Sequence, residues 1–505
     1  MMVIAVGAAC GRIMAVQLVY EPAGHRNEDD PPGRRLWPKK VPKAMPTFGS
    51  NDRSRWATVR ALVEKKTYVI GKRDPAAFSV SAATLFGHLD PLQVAVLARV
   101  GLEARVRSNS GILFEDGYQS IDAVLRPETL EFYSSKPPLL ATLVAGLYWF
   151  LHLLGFTLSA YPNVVVRTVL IVVNVVPFAL YLHVLAGWLE RWSDASWTRL
   201  FVFAAAAFAT LVSPFLITLS NHTLATFAAL FALHGAIRIW EARQGRQTPS
   251  LRWFLLAGAS AAFGVAMEMP ALSLAACVAF LLFTWAPGRT LAFFVPAALV
   301  PAAAYLLTNY WAVGQWRPVQ SEFDGTASWY QYEGSHWRRP LPGEIRRGID
   351  WAWQHESRGT YAFHVLLGHH GWLSLTPIWL LALVGMVRGT LRTRAADVDG
   401  PRRLPWFVPP LTLLLSVVVI GFYLIKSVNY GGFTVGLRWL MWLTPLWLVC
   451  MIPVVDRLAT SRGGRAFAYL LLGMSVLSAN YSPWNPWRHP WIYDFLVSMG
   501  WWTGY

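Results

Sequence analysis

Long apolar runs recur along most of the chain. After a first stretch at 1–20 they lie at 139–158, 164–189, 200–219, 223–240, 253–267, 269–285, 290–311, 373–388, 406–425, 439–455 and 466–480. Most are long enough to cross ~30 Å of hydrocarbon at ~1.5 Å per residue, so the pattern predicts an all-α integral membrane protein. Two polar segments interrupt it, 21–138 and 312–372. The first opens with a proline- and charge-rich stretch, Glu21 to Met45, expected to be irregular. It then turns amphipathic: Trp56, Val59, Leu62 and Val63 follow a helical period with arginines and lysines opposite, a helix expected to lie on the membrane surface. The second is rich in Gly, Pro, Trp and Tyr and is expected to be an ordered loop.

Charge supplies the orientation. Arg191 and Arg199, then Arg243, Arg246 and Arg252, then Arg289, then Arg388, Arg392, Arg394, Arg402 and Arg403, then Arg457, Arg462 and Arg465 fill every second connection. The alternate connections hold only Lys426 and Arg438, so the arginine-rich set is expected in the cytoplasm and 312–372 outside. The run 139–158 decides the first loop. If it spans, 21–138 is cytoplasmic; if it lies along the interface, 21–138 shares the outer side with 312–372. Pro137-Pro138 at its start and Trp149, His152 and Gly155 within it favour the interface. That choice gives about eleven transmembrane helices, a cytoplasmic N-terminus and an extracytoplasmic C-terminus. The expected organisation is a first transmembrane helix at 1–20, an extracytoplasmic loop with interfacial helices at 21–163, a transmembrane core at 164–311, an extracytoplasmic aromatic-rich loop at 312–372, and C-terminal transmembrane helices with a tail at 373–505.

Composition narrows the function. A chain of 505 residues that is 55% hydrophobic and 14% charged is not a water-soluble enzyme, a disordered scaffold or a disulfide-stapled secreted domain. The net charge of +16 would suggest nucleic acid in a soluble protein, but in a membrane protein the side of the bilayer on which it sits comes first, and no nucleic-acid partner is expected. Cys10, Cys277 and Cys450 each sit alone in an apolar run, which argues against disulfides and a thiolate metal site. Arg12 and the lack of a clear small-residue cleavage site make 1–20 a first span or uncleaved anchor rather than a removed signal.

Several residues could carry chemistry. Asp52, at the start of the surface helix, reads equally as a helix cap and as a general base toward an acceptor hydroxyl. Lys136, in Lys-Pro-Pro-Leu, is either a snorkelling anchor or a cation at the depth of a lipid phosphate. Glu268 lies between two apolar runs, where a carboxylate is costly and points to function, or else is a solvated turn residue. Asn221 and His222 occupy another outer turn, where a lone histidine is more often structural. Lys426 and Arg438 flank Asn429-Tyr430-Gly431-Gly432 and could bind phosphate or anchor at the interface. His364, His369 and His370, at offsets of five and six, fall on different faces of one helix, which argues against zinc. Trp316, Trp329, Tyr330, Tyr332, Trp337, Trp351 and Trp353 in the second loop suit an interfacial belt or a sugar-stacking surface.

The aspartate after the first span, the aromatic Trp56 four residues on, and Lys136-Pro137-Pro138-Leu139 before an apolar helix resemble the GT-C membrane glycosyltransferases. The nearest likeness is to protein mannosyltransferases that use dolichyl-phosphate-mannose and to bacterial lipid A aminoarabinose transferases. The resemblance covers roughly residues 3–310 in layout. Arg53 stands where those enzymes carry a glutamate, Ser135 where they often carry a carboxylate, and Asn221-His222 where they commonly carry an aspartate. The resemblance implies a polyprenyl-phosphate-linked sugar as donor, a lipid, glycan or protein acceptor, and inverting transfer. In it Asp52 is the base, Lys136 with Arg438 or Lys426 stabilises the departing lipid phosphate, and His222, Glu268 and Asn221 orient the substrates. No cofactor is required by this scheme, and a divalent metal is compatible with it. A lipid-linked-sugar flippase, or an inactive relative acting as an assembly subunit, are the alternatives. Few charges inside the spans and no clear repeat argue modestly against the first.

Overall fold

The computed structural model describes residues 1–17, 25–26, 35–36, 44–73, 109–323, 328–392, 404–427 and 429–502. Most of the stretch Glu21 to Met45, and Arg394, Arg402 and Arg403, lie outside the described residues.

Among the described residues, six helices are long and apolar enough to cross a membrane: Pro162–Trp192, Ser196–Phe215, Asn221–Gln244, Pro287–Val313, Val408–Lys426 and Arg438–Leu458. The expected helical membrane character is there, but about eleven spans were expected and six reach that standard. Met2–Ala15, Pro138–Leu153, Leu251–Met267, Met269–Trp285 and Trp379–Leu391 are apolar helices of 10–17 residues. At ~1.5 Å per residue such helices fall short of ~30 Å unless the bilayer thins around them. The helix Arg462–Asn480 is long enough, but polar and small residues dilute its apolar content.

The chain divides into two compact units. The first comprises Met1–Val16, Leu170–Ala303 and Pro342–Tyr505. Small residues let its helices approach closely, as packing within a bilayer requires. A methyl on Gly235 would stand 2.8 Å from the Trp253 carbonyl oxygen and 2.9 Å from Ala257 Cβ, and one on Gly385 would overlap the Cys450 carbonyl. The helix through Leu170 widens into a π-turn at Ile171–Val175. Asn174, in that turn and fully buried, donates from Nδ2 to the carbonyls of Leu216 and Thr218, both at 2.8 Å. Those two carbonyls lie in the irregular stretch before Asn221–Gln244 and have no helical partner there.

The second unit comprises Gln17–Val169 and Ala304–Leu341. Its centre is the helix Gly49–Glu64, which packs against Pro138–Leu153. A three-stranded antiparallel sheet places Glu131–Ser134 between Gly71–Lys72 and Ala123–Arg126. Val124 and Tyr133 from the sheet join Val313, Val319 and Tyr330 in one apolar cluster, and the Leu125 N–H donates to the Trp329 carbonyl at 3.0 Å.

The helix Gly49–Glu64 is not the surface helix that its pattern predicts. Asn51, Asp52 and the run Ser54–Ala61 are buried, Arg55 and Arg60 among them. Arg60 is tolerated because it is paired, with Glu64 at 3.0 Å and Glu115 at 2.5 Å, and Arg55 is hydrogen-bonded to Asn51. A helical period reports which residues share a face. It cannot report that the polar face will meet protein instead of water.

Candidate functional site

In the second unit, Asp52 lies in the first turn of Gly49–Glu64 and is 1% exposed. Its Oδ2 accepts the N–H of Phe48 at 2.7 Å and its Oδ1 accepts Trp56 Nε1 at 3.1 Å. The reach back to Phe48 satisfies a backbone donor at the helix start, and the indole fixes the carboxylate's second oxygen. Cap and oriented carboxylate are thus features of the same side chain.

Lys136 follows the strand Glu131–Ser134, and its Nζ lies 2.8 Å from Asp122 Oδ1. Asp122, which no sequence motif marks, is buried beside Ser135, whose Oγ is 3.5 Å from the same oxygen. Ser135 itself is pinned by Gln320 Nε2, which donates to its carbonyl at 2.5 Å.

Serines join this pair to the helix that carries Asp52. Ser54 Oγ donates to the Asp122 carbonyl at 2.6 Å and lies 2.6 Å from Ser134 Oγ. Ser50 Oγ accepts the Asp122 N–H at 2.9 Å, and Ser120 Oγ donates to the Ser50 carbonyl at 2.7 Å. Spaced four apart, Ser50 and Ser54 face the same way on the helix and meet the segment Ser120–Asp122 that leads into Ala123–Arg126. The helix that carries Asp52 and the segment that carries Lys136, 84 positions on in sequence, are thus held together by hydrogen bonds.

Beside it opens a pocket lined by Arg55, Lys136, Tyr68, Tyr133, Asn309 and Gln320, with Pro137, Pro138 and Val313 as its apolar wall. Burial first, and then the Glu131 carboxylate that accepts its hydroxyl, push Tyr133 up to about 12. Burial likewise raises Tyr68. Both phenols stay protonated at neutral pH and are engaged, Tyr133 with Glu131 and Tyr68 with Thr142, so the pocket's charge comes from Arg55 and Lys136.

The remaining sequence candidates belong to the first unit. Asn221 and His222 begin the helix Asn221–Gln244, capped by Ser220, whose Oγ accepts the His222 N–H at 3.2 Å. His222 Nδ1 lies 2.6 Å from Glu268 Oε1, and Asn221 Nδ2 bonds the same carboxylate and the Met267 carbonyl. Arg438 Nε donates to His222 Nε2 at 3.0 Å, and its guanidinium lies over the Trp487 ring at 4.9 Å. Asn221, His222, Glu268 and Arg438 thus form one line of contacts, and Glu268 is buried rather than a solvated turn residue. Lys426 ends the helix Val408–Lys426 and is exposed.

The histidines overturn the argument from helical offsets. The helix Arg358–Leu366 ends before the second of them, and the chain turns through Gly368. His364 and His369 rings stack at 3.8 Å, and His369 Nδ1 lies 2.5 Å from His370 Nδ1. His370 stacks on Tyr430 at 4.8 Å, and His489 stacks on Tyr493 at 3.9 Å. Burial, then the neighbouring histidines, lower His369 to about 2 and hold His370 well below its usual value. Burial lowers His489 to about 4 against the pull of Asp350. These imidazoles are neutral at physiological pH. Only a sharp turn supplied by glycine, which no periodicity registers, brings them together.

No family model matches the sequence, and no curated protein matches it. Among solved structures the chain is similar to the oligosaccharyltransferase of Archaeoglobus fulgidus. The complex with Zn and sulfate is 12% identical with a TM-score of 0.41, covering 98% of this chain and 55% of that one. The apo form gives 11% and 0.42, with 99% and 58% covered. The archaeal oligosaccharyltransferase AglB from the same organism, in complex with an inhibitory peptide and a dolichol-phosphate, gives 12% and 0.41, with 99% and 57% covered. The chain spans somewhat more than half the length of these proteins.

Proposed function

We propose that the chain is an integral-membrane glycosyltransferase that moves a sugar from a polyprenyl-phosphate donor to an acceptor hydroxyl, by inverting displacement on the extracytoplasmic face. One observation carries the reading. The helix that carries the aspartate after the first apolar helix is bonded through Ser54 to Asp122, which pairs with the lysine of Lys-Pro-Pro-Leu beside a pocket lined by two cations.

In this reaction the acceptor oxygen attacks the anomeric carbon. The bond from that carbon to the phosphate oxygen breaks, and its electron pair leaves with the polyprenyl phosphate, whose charge grows from one to two. Lys136 and Arg55 lie where they can meet that growing charge in a partly enclosed site. Asp52 takes the acceptor's proton, a role typically worth ~10²- to 10⁴-fold. For this the acceptor hydroxyl replaces the Trp56 indole at Oδ1. A second reading of the base is favoured by the ion pair itself: Asp122, held by Lys136, is a carboxylate next to the same pocket residue.

The test uses membranes containing the full chain and radiolabelled polyprenyl-phosphate mannose, glucose or arabinose in turn. Label should leave the lipid for an acceptor. Asp52→Asn should abolish transfer if Asp52 is the base, and Asp122→Asn if Asp122 is. Movement of labelled lipid across vesicles without transfer, or transfer indifferent to both substitutions, overturns the proposal.

A further inference from the structure

The histidine cluster of the first unit is used by nothing in the proposed transfer. We infer that Glu356, His364 and His369 form a binding site for a divalent transition metal of the zinc class. One donor atom from each residue lies within 4.8 Å of the other two. A tetrahedral zinc ion with bonds of ~2.0–2.1 Å needs its donors about 3.4 Å apart, so closing the site takes side-chain shifts of about an ångström. Two imidazoles and one carboxylate are a recognised zinc donor set with the fourth position left open.

The surroundings point the same way. His369 Nδ1 is engaged with His370 Nδ1 at 2.5 Å, and its other nitrogen, Nε2, is buried with no hydrogen-bond partner among the described residues. With the proton on His369 Nδ1, Nε2 presents a lone pair that a cation satisfies. A histidine ligand characteristically has its second ring nitrogen occupied in this way. Tyr430 Oη donates to Glu356 Oε2 at 2.6 Å, the outer contact that orients a ligating carboxylate. Gly368 makes the approach feasible, because a methyl there would overlap the His364 ring.

The site is independent of sugar transfer, and its test reads metal instead of activity. The full chain, purified in detergent with a histidine-free tag, is stripped with EDTA, incubated with Zn²⁺ alone, desalted and assayed for zinc per chain. About one equivalent is expected in the wild type and background in a His364→Ala/His369→Ala variant. Tyr430→Phe should weaken binding roughly 10- to 100-fold. If the double variant fails to fold, Glu356→Gln, which keeps the histidine stack, decides: it should lose the equivalent. Zinc absent from the wild type, or retained equally by Glu356→Gln or by a folded double variant, overturns the inference.

Discussion

Breaking the Lys136–Asp122 pair tests whether the serine-linked assembly is held by charge. At 2.8 Å and an effective dielectric of ~20, two unit charges attract by about 6 kcal/mol. Desolvation cancels much of that, and removing one partner of a buried pair costs ~3–5 kcal/mol because the other charge is stranded. The Asp122 side chain is 6% exposed but Lys136 is 22% exposed, so the pair is open at one end. We therefore expect less than that range, about 2–3 kcal/mol, for Lys136→Met, which keeps the apolar stem and removes the cation from Asp122. Asp122→Asn should cost less, since Lys136 can swing toward water. In a double-mutant cycle read from denaturant-induced unfolding in detergent micelles, the two substitutions should couple by about 2 kcal/mol. Additivity within ~0.5 kcal/mol would mean that the contact contributes nothing, and the argument that it organises the pocket would fail.

Other substitutions probe the remaining contacts. Ser54→Ala removes the bonds to the Asp122 carbonyl and Ser134, and should cost about 1–2 kcal/mol in the same unfolding assay; no change would show that serines do not join helix and strand. Asn174→Leu strands the buried Leu216 carbonyl at ~1–3 kcal/mol, while the Thr218 carbonyl keeps the Ser220 N–H, and a loss of stability below ~1 kcal/mol would count against the π-turn's structural role. Gly385→Val places side-chain atoms against the Cys450 carbonyl and should lower the melting temperature sharply, whereas Gly421→Val, in open space, should not.

The spans were legible because apolar length is a local property. The burial of Gly49–Glu64 was not, because Arg55 and Arg60 look solvated until their partners Asn51 and Glu115 are known, and Glu115 is 55 positions from Arg60. Asp52 and Lys136 could be singled out from motifs, but Asp122 could not: it follows Ser-Ile in a loop, and only the distant Lys136 marks it. Likewise Asn221, His222, Glu268 and Arg438 were chosen one by one for being polar near span ends. Their joining reflects packing of Asn221–Gln244 against Leu251–Met267 and the Arg438 segment, which no single stretch encodes. The histidines failed for the opposite reason, since a helical period was carried past Leu366, where the helix stops.

The side of the membrane that carries the second unit bears directly on the proposed chemistry, because sugar transfer from polyprenyl phosphates on the outer face needs Asp52 and Lys136 there. Ser54, at the heart of the serine assembly, is fully buried and useless as a probe. Thr129 serves instead: it is exposed, in the turn between the strands Ala123–Arg126 and Glu131–Ser134, and makes none of the contacts that build the pocket. In a Cys10→Ala/Cys277→Ala/Cys450→Ala background, Thr129→Cys should react with a membrane-impermeant thiol reagent in intact cells, as fast as after the membrane is opened. The background alone should stay unlabelled. Reaction only after opening would put the strands that hold Lys136 in the cytoplasm and make Pro138–Leu153 a crossing helix. It would also remove the outer-face transfer mechanism while leaving the zinc site untouched, since that site belongs to the other unit.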